Sequence, residues 1–191
     1  MLDFILASGS QSRLKLLRQI GAEPKSIKPA DIDETPLKKE KPVDYVQRMA
    51  KIKAETIAIN NPNENILSGD SIVVVNNRII QKPKNKQDIE LFLKMYSGKN
   101  IKCYSAVYLI KKDGSFSKKL VLTKIKFKHL SQKDINDILN NEANLAYSSA
   151  GGLVLEGLTE ALIKSINGSY SNILGLPLYD VRNMFVSAGI M

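Results

Sequence analysis

One cysteine, one histidine and no tryptophan occur in these 191 residues. A single thiol excludes an internal disulfide, and the cytoplasm becomes the expected compartment. Cys103, inside the strand-like run 101–109, reads as a small core residue and not as a nucleophile. The single imidazole, His129, excludes a histidine-rich metal centre and reads as structural or solvent-facing. No run approaches the roughly 18 apolar residues of a membrane span. Asp3 and the polar turn after Leu6 interrupt the N-terminus too early for a secretory signal. Serine-hydrolase elbows and zinc spacings are missing. Gly98-Lys99-Asn100 lacks both the first glycine and the hydroxyl of a P-loop. Asn167-Gly168-Ser169 matches a glycosylation sequon that a cytoplasmic chain would not use.

Acidic residues are also scarce. There are 19 against 28 basic ones, a net charge of +9. Most of the excess is lysine, since only Arg13, Arg18, Arg48, Arg78 and Arg182 are arginines. The lysines come in scattered pairs (Lys38-Lys39, Lys111-Lys112, Lys118-Lys119) with few aromatics between them. Polynucleotide binding is therefore disfavoured, and attraction of small polyanions is favoured. An apolar fraction of 43% and a charged fraction of 25% are ordinary for a globular protein. The length suits one large domain or two small lobes.

The chain begins with a short apolar strand, Phe4–Leu6, that enters the hydroxylic turn Ala7-Ser8-Gly9-Ser10. Leu14, Leu17 and Ile20 then recur at helical spacing, and Gly21 is a plausible stop. Residues 23–30 look extended, and Asp31–Pro36 forms an acidic loop. Pro42 suits a first helical turn, and a helix follows over about 43–59 with Val46, Met49, Ala50, Ala54 and Ile57 on its apolar face. Ile66–Val75 reads as a strand, Asn76-Asn77 as a two-residue hairpin turn, and Arg78–Gln81 as the return strand. A helix over about 85–96 precedes strands at about 101–110 and 116–128. Ser131 starts a further helix, with Asp134 in capping-box position. The stretch around Gly151-Gly152 and Gly157 reads as irregular, and a last helix runs from near Pro177 to Ser187. Strands and helices alternate before a hairpin region, which predicts an α/β fold with a mixed sheet flanked by helices.

Three places resist a purely structural reading. The turn at 7–10 is either an ordinary capped helix start or an anion site. Its serines, the helix N–H groups and Arg13 all suit phosphate. Asp70 falls in a strand that should be largely buried, where a carboxylate needs a cation, a metal or several donors. Gly69 beside it leaves room for close approach. Lys53 lies on the apolar face of its helix, where it either snorkels to water or answers a buried carboxylate. The hairpin register brings Lys82 beside Ser71, and Pro83 ends the pairing.

These pieces occur together in one pattern. Leu6–Arg13, Asp31–Glu34, Arg48–Ala54, Gly69-Asp70-Ser71, Lys82-Pro83, Leu93–Gly98, Ala150-Gly151-Gly152 and Gly168–Leu178 stand in the order of the Maf family, and the chain resembles that family over nearly its whole length. The resemblance implies a single Maf-like domain over 1–191, of elongated Maf/ITPase-like α/β fold, in two lobes around a central cleft. It implies a cytoplasmic, homodimeric nucleoside triphosphate pyrophosphatase that removes unusual nucleotides. The alternative is a catalytically weak nucleotide-binding regulator of septum formation.

By the same resemblance Asp70 is the proton acceptor or a metal ligand, and sequence leaves the choice open. Lys53 and Lys82 are catalytic cations, while Ser8, Ser10 and Arg13 bind phosphate. Glu34 joins Asp70 toward a divalent cation, Mg²⁺ by its chemistry. Ser12, Ser71 and Glu156 fall at the three substrate-selectivity positions. Those read Arg, Thr and Gln in the branch selective for pyrimidine triphosphates, and Trp, Gln and Glu in the branch selective for 7-methyl-GTP. Ser71 keeps a hydroxyl like the first and Glu156 agrees with the second, so the preferred base stays open.

Overall fold

The computed structural model describes residues 1–155 and 157–191, so Glu156 lies outside the described residues. The elements run β1 (Leu2–Leu6), α1 (Gln11–Gln19), β2 (Pro24–Ile27), α2 (Pro42–Ile59), β3 (Ile66–Val75), β4 (Arg78–Ile80), α3 (Lys86–Tyr96), β5 (Asn100–Ile110) and β6 (Phe116–Phe127). Then follow α4 (Gln132–Asn141), α5 (Ala143–Ala146), a 3-10 turn at Ala150–Gly152, α6 (Leu158–Ala161), β7 (Ile163–Asn167), α7 (Tyr170–Ile173) and α8 (Leu178–Ser187). Among the described residues seven strands form a sheet of order β2-β1-β3-β5-β6-β7, with β4 also on β3. β1 pairs in parallel with β2 and β3, whereas β3–β4 and β6–β7 are antiparallel. The fold is mixed α/β, as expected. No helix among the described residues is long and apolar enough to cross a membrane.

Two compact units are distinguishable. The first comprises residues 1–71, 105–121 and 171–191, and the second 72–104 and 122–170. In the first unit, strand alternation sends Phe4, Leu6, Leu67, Val107 and Leu109 to one face of the sheet, where Leu14 and Leu17 of α1 and Val181, Met184 and Phe185 of α8 cover them. The rings of Phe4 and Phe185 sit 4.7 Å apart. The intervening residues Ile66, Ser68 and Asp70 point to the other face, and there α2 buries Val46, Met49, Ala50 and Ala54.

The second unit has its own core. Ile89 and Leu93 of α3 pack with Ile135 and Ile138 of α4, Ala143 and Ala146 of α5, and Val154. Two buried polar contacts fix its irregular segment. The Tyr96 hydroxyl donates to the Gly151 carbonyl over 2.6 Å. The Glu142 carboxylate accepts from the backbone N–H of Leu158 and from the Thr159 hydroxyl. The capping box at Ser131 and Asp134 is present.

Most predicted elements fall where periodicity places them, and the differences have physical causes. β7, in a stretch to which the sequence reading assigns no element, is short and half-exposed, and it forms by pairing Ile166 with Ile125 on the edge of β6. The β3–β4 ladder ends at Val73–Ile80, two residues short of Lys82. Ile57 is only half-buried near the end of α2.

Asn76 and Asn77 both take positive φ, 49° and 62°, as a type I′ hairpin turn requires. Asn77→Val should therefore destabilise the protein by about 1–2 kcal/mol, while Asn77→Gly is neutral or stabilising. Urea denaturation of the two variants checks this.

Candidate functional site

The site forms where β1 stops and β3 continues. Leu6 pairs with Leu67, and the Ala7 N–H donates to the Leu67 carbonyl over 2.8 Å. Beyond that point the 7–10 turn lies next to Gly69-Asp70-Ser71. The carboxyl ends of parallel strands are where open α/β sheets bind ligands.

On the face covered by α2, Lys53 Nζ lies 2.7 Å from Asp70 Oδ1 and 2.7 Å from Glu34 Oε1. The Lys53 and Asp70 side chains are only 10% and 11% exposed, whereas Glu34 is 56% exposed. The lysine is therefore a buried charge answered by a buried carboxylate, and Glu34 closes the triad from the solvent side. Among the described residues no donor reaches Asp70 Oδ2.

Glu34 is delivered by a loop that α2 holds. Tyr45 donates its hydroxyl to the Glu34 carbonyl over 2.9 Å. Arg48 reaches the Thr35 carbonyl and grips Glu40 in a bidentate pair at 2.6 and 2.7 Å. Its guanidinium also lies 5.5 Å from the Tyr45 ring centroid. Tyr45 and Lys53 are eight residues apart, two helical turns on one stripe. Burial first, then the charges of Asp70 and Glu34, push the Tyr45 hydroxyl up to about 12.

The opposite face carries the arginine. Ser10 caps α1, its Oγ accepting from the Arg13 N–H. No acidic residue occupies the first turn of that helix, so its positive end is not neutralised locally. Ser8 Oγ accepts from the Ser10 N–H at 3.3 Å and from Arg13 Nη1 at 3.0 Å. Arg13 also donates through Nε to the Gly175 carbonyl at 2.9 Å and through Nη2 to Ser71 Oγ at 3.4 Å. Three of its five N–H donors are committed, leaving one on each terminal nitrogen for a ligand. Burial lowers the guanidinium pKa, and the charges of Asp70 and then Glu34 oppose that. It stays ionised at neutral pH because its ordinary value is so high.

Gly69 leaves this space open, though a single Cβ would only reach ordinary contact distance. A Cβ there would meet Ala106, Leu176 and Arg13 Nε at 3.4, 3.5 and 3.6 Å, so any longer side chain would take the space of the guanidinium.

Of the residues expected at the site, the first unit thus brings together Ser8, Ser10, Arg13, Glu34, Lys53, Asp70 and Ser71. Ser12 is exposed on the first turn of α1. Lys82 belongs to the second unit, exposed just before the buried Pro83. The third selectivity position, Glu156, falls outside the described residues. Sequence reasoning missed Tyr45, the carbonyl of Gly175, and Ser105, whose Oγ lies 2.7 Å from Ser71 Oγ. A hydroxyl at a buried position of the otherwise apolar run 105–109 was the available signal.

Two cations and two carboxylates leave this cluster neutral. Among the described residues no group of three or more His, Cys, Asp or Glu is placed to hold a metal. Asp70 and Glu34 supply hard oxygen donors in the number that suits Mg²⁺, which keeps waters and takes its remaining ligands from a substrate's phosphates. The residues fit such an ion.

Fold and site together define an α/β protein with an arginine, a lysine and a carboxylate gathered where the 7–10 turn meets β3. Residues 3–188 match the Maf-like protein family. The chain is 42% identical over 179 residues to a dTTP/UTP pyrophosphatase of Wolbachia sp. subsp. Drosophila simulans, covering 93% of this chain and 89% of that protein. It is 39% identical over 188 residues to a dTTP/UTP pyrophosphatase of Zymomonas mobilis, covering 98% and 92%. The solved structure of the Staphylococcus aureus Ham1 protein matches with a TM-score of 0.48 at 17% identity, covering 65% of this chain and 71% of that one. The chain belongs to the Maf-like protein family.

The raised Tyr45 pKa has a stability consequence. The unfolded chain loses this proton near pH 10 and the folded chain only near 12, so the contribution is present below pH 10 and is lost as pH rises to 12. Denaturation across that window should show a fall of about 2–3 kcal/mol that Tyr45→Phe removes.

Proposed function

We propose that this nucleoside triphosphate pyrophosphatase hydrolyses dTTP and UTP to the monophosphate and pyrophosphate, with a divalent cation as cofactor. The substrate assignment follows the names of its relatives. The observation that carries the chemistry is the buried Lys53–Asp70 pair facing Glu34, with Arg13 held on the other side of the same strand.

Asp70 is the proton acceptor in this reading. Its Oδ2 takes a proton from a water that attacks the α-phosphorus, the bond from that phosphorus to the bridging oxygen breaks, and pyrophosphate leaves. Lys53 fixes the carboxylate through Oδ1 and retains a donor for phosphate oxygen. Arg13 places its two remaining N–H groups on phosphate, with the hydroxyl protons of Ser8 and Ser10 as further donors. Lys82 is read as a further phosphate-binding cation on the family pattern. A divalent cation held by Asp70 and Glu34 would supply charge neutralisation to the polyphosphate. Ser12, Ser71 and Glu156 are proposed to tune base choice. A cytoplasmic homodimer with a house-cleaning role belongs to the same proposal.

The test is Mg²⁺-dependent pyrophosphate release across normal and modified triphosphates. dTTP and UTP should be the best substrates, and Asp70→Asn should lower kcat by about 10²–10⁴-fold. Nucleotide binding without any pyrophosphate release would overturn the enzymatic reading and leave the regulator. Near-wild-type turnover by Asp70→Asn would remove Asp70 from both its roles.

A further inference from the structure

Ser105 lies on β5, 1% exposed, and no substrate atom is needed to explain its polarity. Its Oγ sits 2.7 Å from Ser71 Oγ and 3.1 Å from the Asn172 carbonyl. Ser71 Oγ in turn lies 3.1 Å from the Gly175 carbonyl and accepts from Arg13 Nη2 at 3.4 Å. Gly175, at φ 110°, turns its carbonyl to Arg13 Nε at 2.9 Å.

Each hydroxyl carries one proton. If both serines spent theirs on carbonyls, the 2.7 Å approach between them would contain no proton. One hydroxyl therefore donates to the other. Running from the guanidinium to Ser71, then to Ser105 and on to the Asn172 carbonyl, each proton is used once and Gly175 is left to Arg13 Nε. In the reverse order Ser105 donates to Ser71, which donates to Gly175. In either order the Ser71 hydroxyl is anchored by Ser105; in the first, Ser105 also donates to the 172–175 turn whose last carbonyl holds Nε, and in the second, Ser71, held by Ser105, donates to that Gly175 carbonyl itself. The same buried hydroxyl therefore stands behind two of the three grips on Arg13. The third, Ser8, belongs to the turn at the N-terminus of α1.

We propose that Ser105 is a positioning residue for Arg13, fixing the guanidinium through Ser71 and the 172–175 turn so that its two remaining N–H groups meet phosphate in one orientation. This rests on the reading of Arg13 as a phosphate ligand. Pre-organisation of this kind matters because a donor misplaced by a fraction of an ångström loses much of its effect.

A double-mutant cycle reads the coupling, with Mg²⁺–tripolyphosphate binding measured by calorimetry beside pyrophosphate release from dTTP. Ser105→Ala should weaken tripolyphosphate binding roughly tenfold, and Ser105→Thr should recover most of it. In an Arg13→Lys background, which cannot make the three-way grip, Ser105→Ala should change binding less than about twofold. An unchanged affinity in Ser105→Ala, or the same tenfold loss in both backgrounds, would overturn the proposal. Thermal unfolding identifies a variant that fails to fold. Ser105→Cys, of similar size and a weaker donor, then takes the place of the alanine and is read by the same criteria. A wild-type protein that binds no tripolyphosphate overturns the phosphate reading of Arg13 and this inference with it. One that binds it but releases no pyrophosphate defeats only the enzymatic reading, and the cycle still decides Ser105.

Discussion

The ion pair between Lys53 and Asp70 is the constraint on which the site depends. Neither group would be stable where it lies without the other. Removing one partner of a buried pair leaves an uncompensated charge, at a cost of about 3–5 kcal/mol. Both belong to elements that the core fixes independently. β3 carries Asp70 among Leu67, Ile72 and Val73, and α2 carries Lys53 on the stripe of Val46, Met49 and Ala50. The pair therefore needs no loop to find its geometry. What remains adjustable is Glu34, the exposed third member, which arrives on a loop tied by Tyr45 and Arg48.

The pleat of β3 divides the chemistry. Asp70 faces α2, while Gly69 and Ser71 face α1 and the 172–175 turn. One residue's shift in register would exchange the faces and place the carboxylate under Arg13. That register is held by the parallel pairing of Ile66 and Leu67 with Ile5 and Leu6 and by the hydrophobic set on each face. Core packing and site geometry are thus one specification. The aliphatic alternation of the strand determines which side receives the acid and which the arginine.

Much of this was legible locally. The hydroxylic turn, the apolar stripe of α2, the buried strand with one carboxylate, the Asn-Asn turn and the Ser131 capping box all follow from short-range rules, and each is present. Two kinds of feature were not legible. β7 has no strong period of its own and exists because β6 offers it an edge. The partners of Arg13 are non-local: the Gly175 carbonyl is 162 residues away and Ser105 enters from another strand. Spacing could flag Lys53 and Asp70 as out of place singly. It could not show that Glu34 closes the same ion pair, because the path of the 28–41 loop is set by tertiary contacts from Tyr45 and Arg48.

Charge balance is the last step that links structure to chemistry. A cluster of Arg13, Lys53, Asp70 and Glu34 carries no net charge, so it offers a polyphosphate directional donors and little monopole attraction. The general surplus of lysine over the chain supplies long-range attraction that salt screens within about 10 Å. Binding a triphosphate tightly in a partly buried, neutral cluster then requires that positive charge come with the ligand. In the proposed reaction a divalent cation accompanying the phosphates would meet that need, with Asp70 and Glu34 as the oxygen donors it prefers. Lys53 offsets the charge of Asp70 at 2.7 Å, and Arg13 is kept on the other face of the strand.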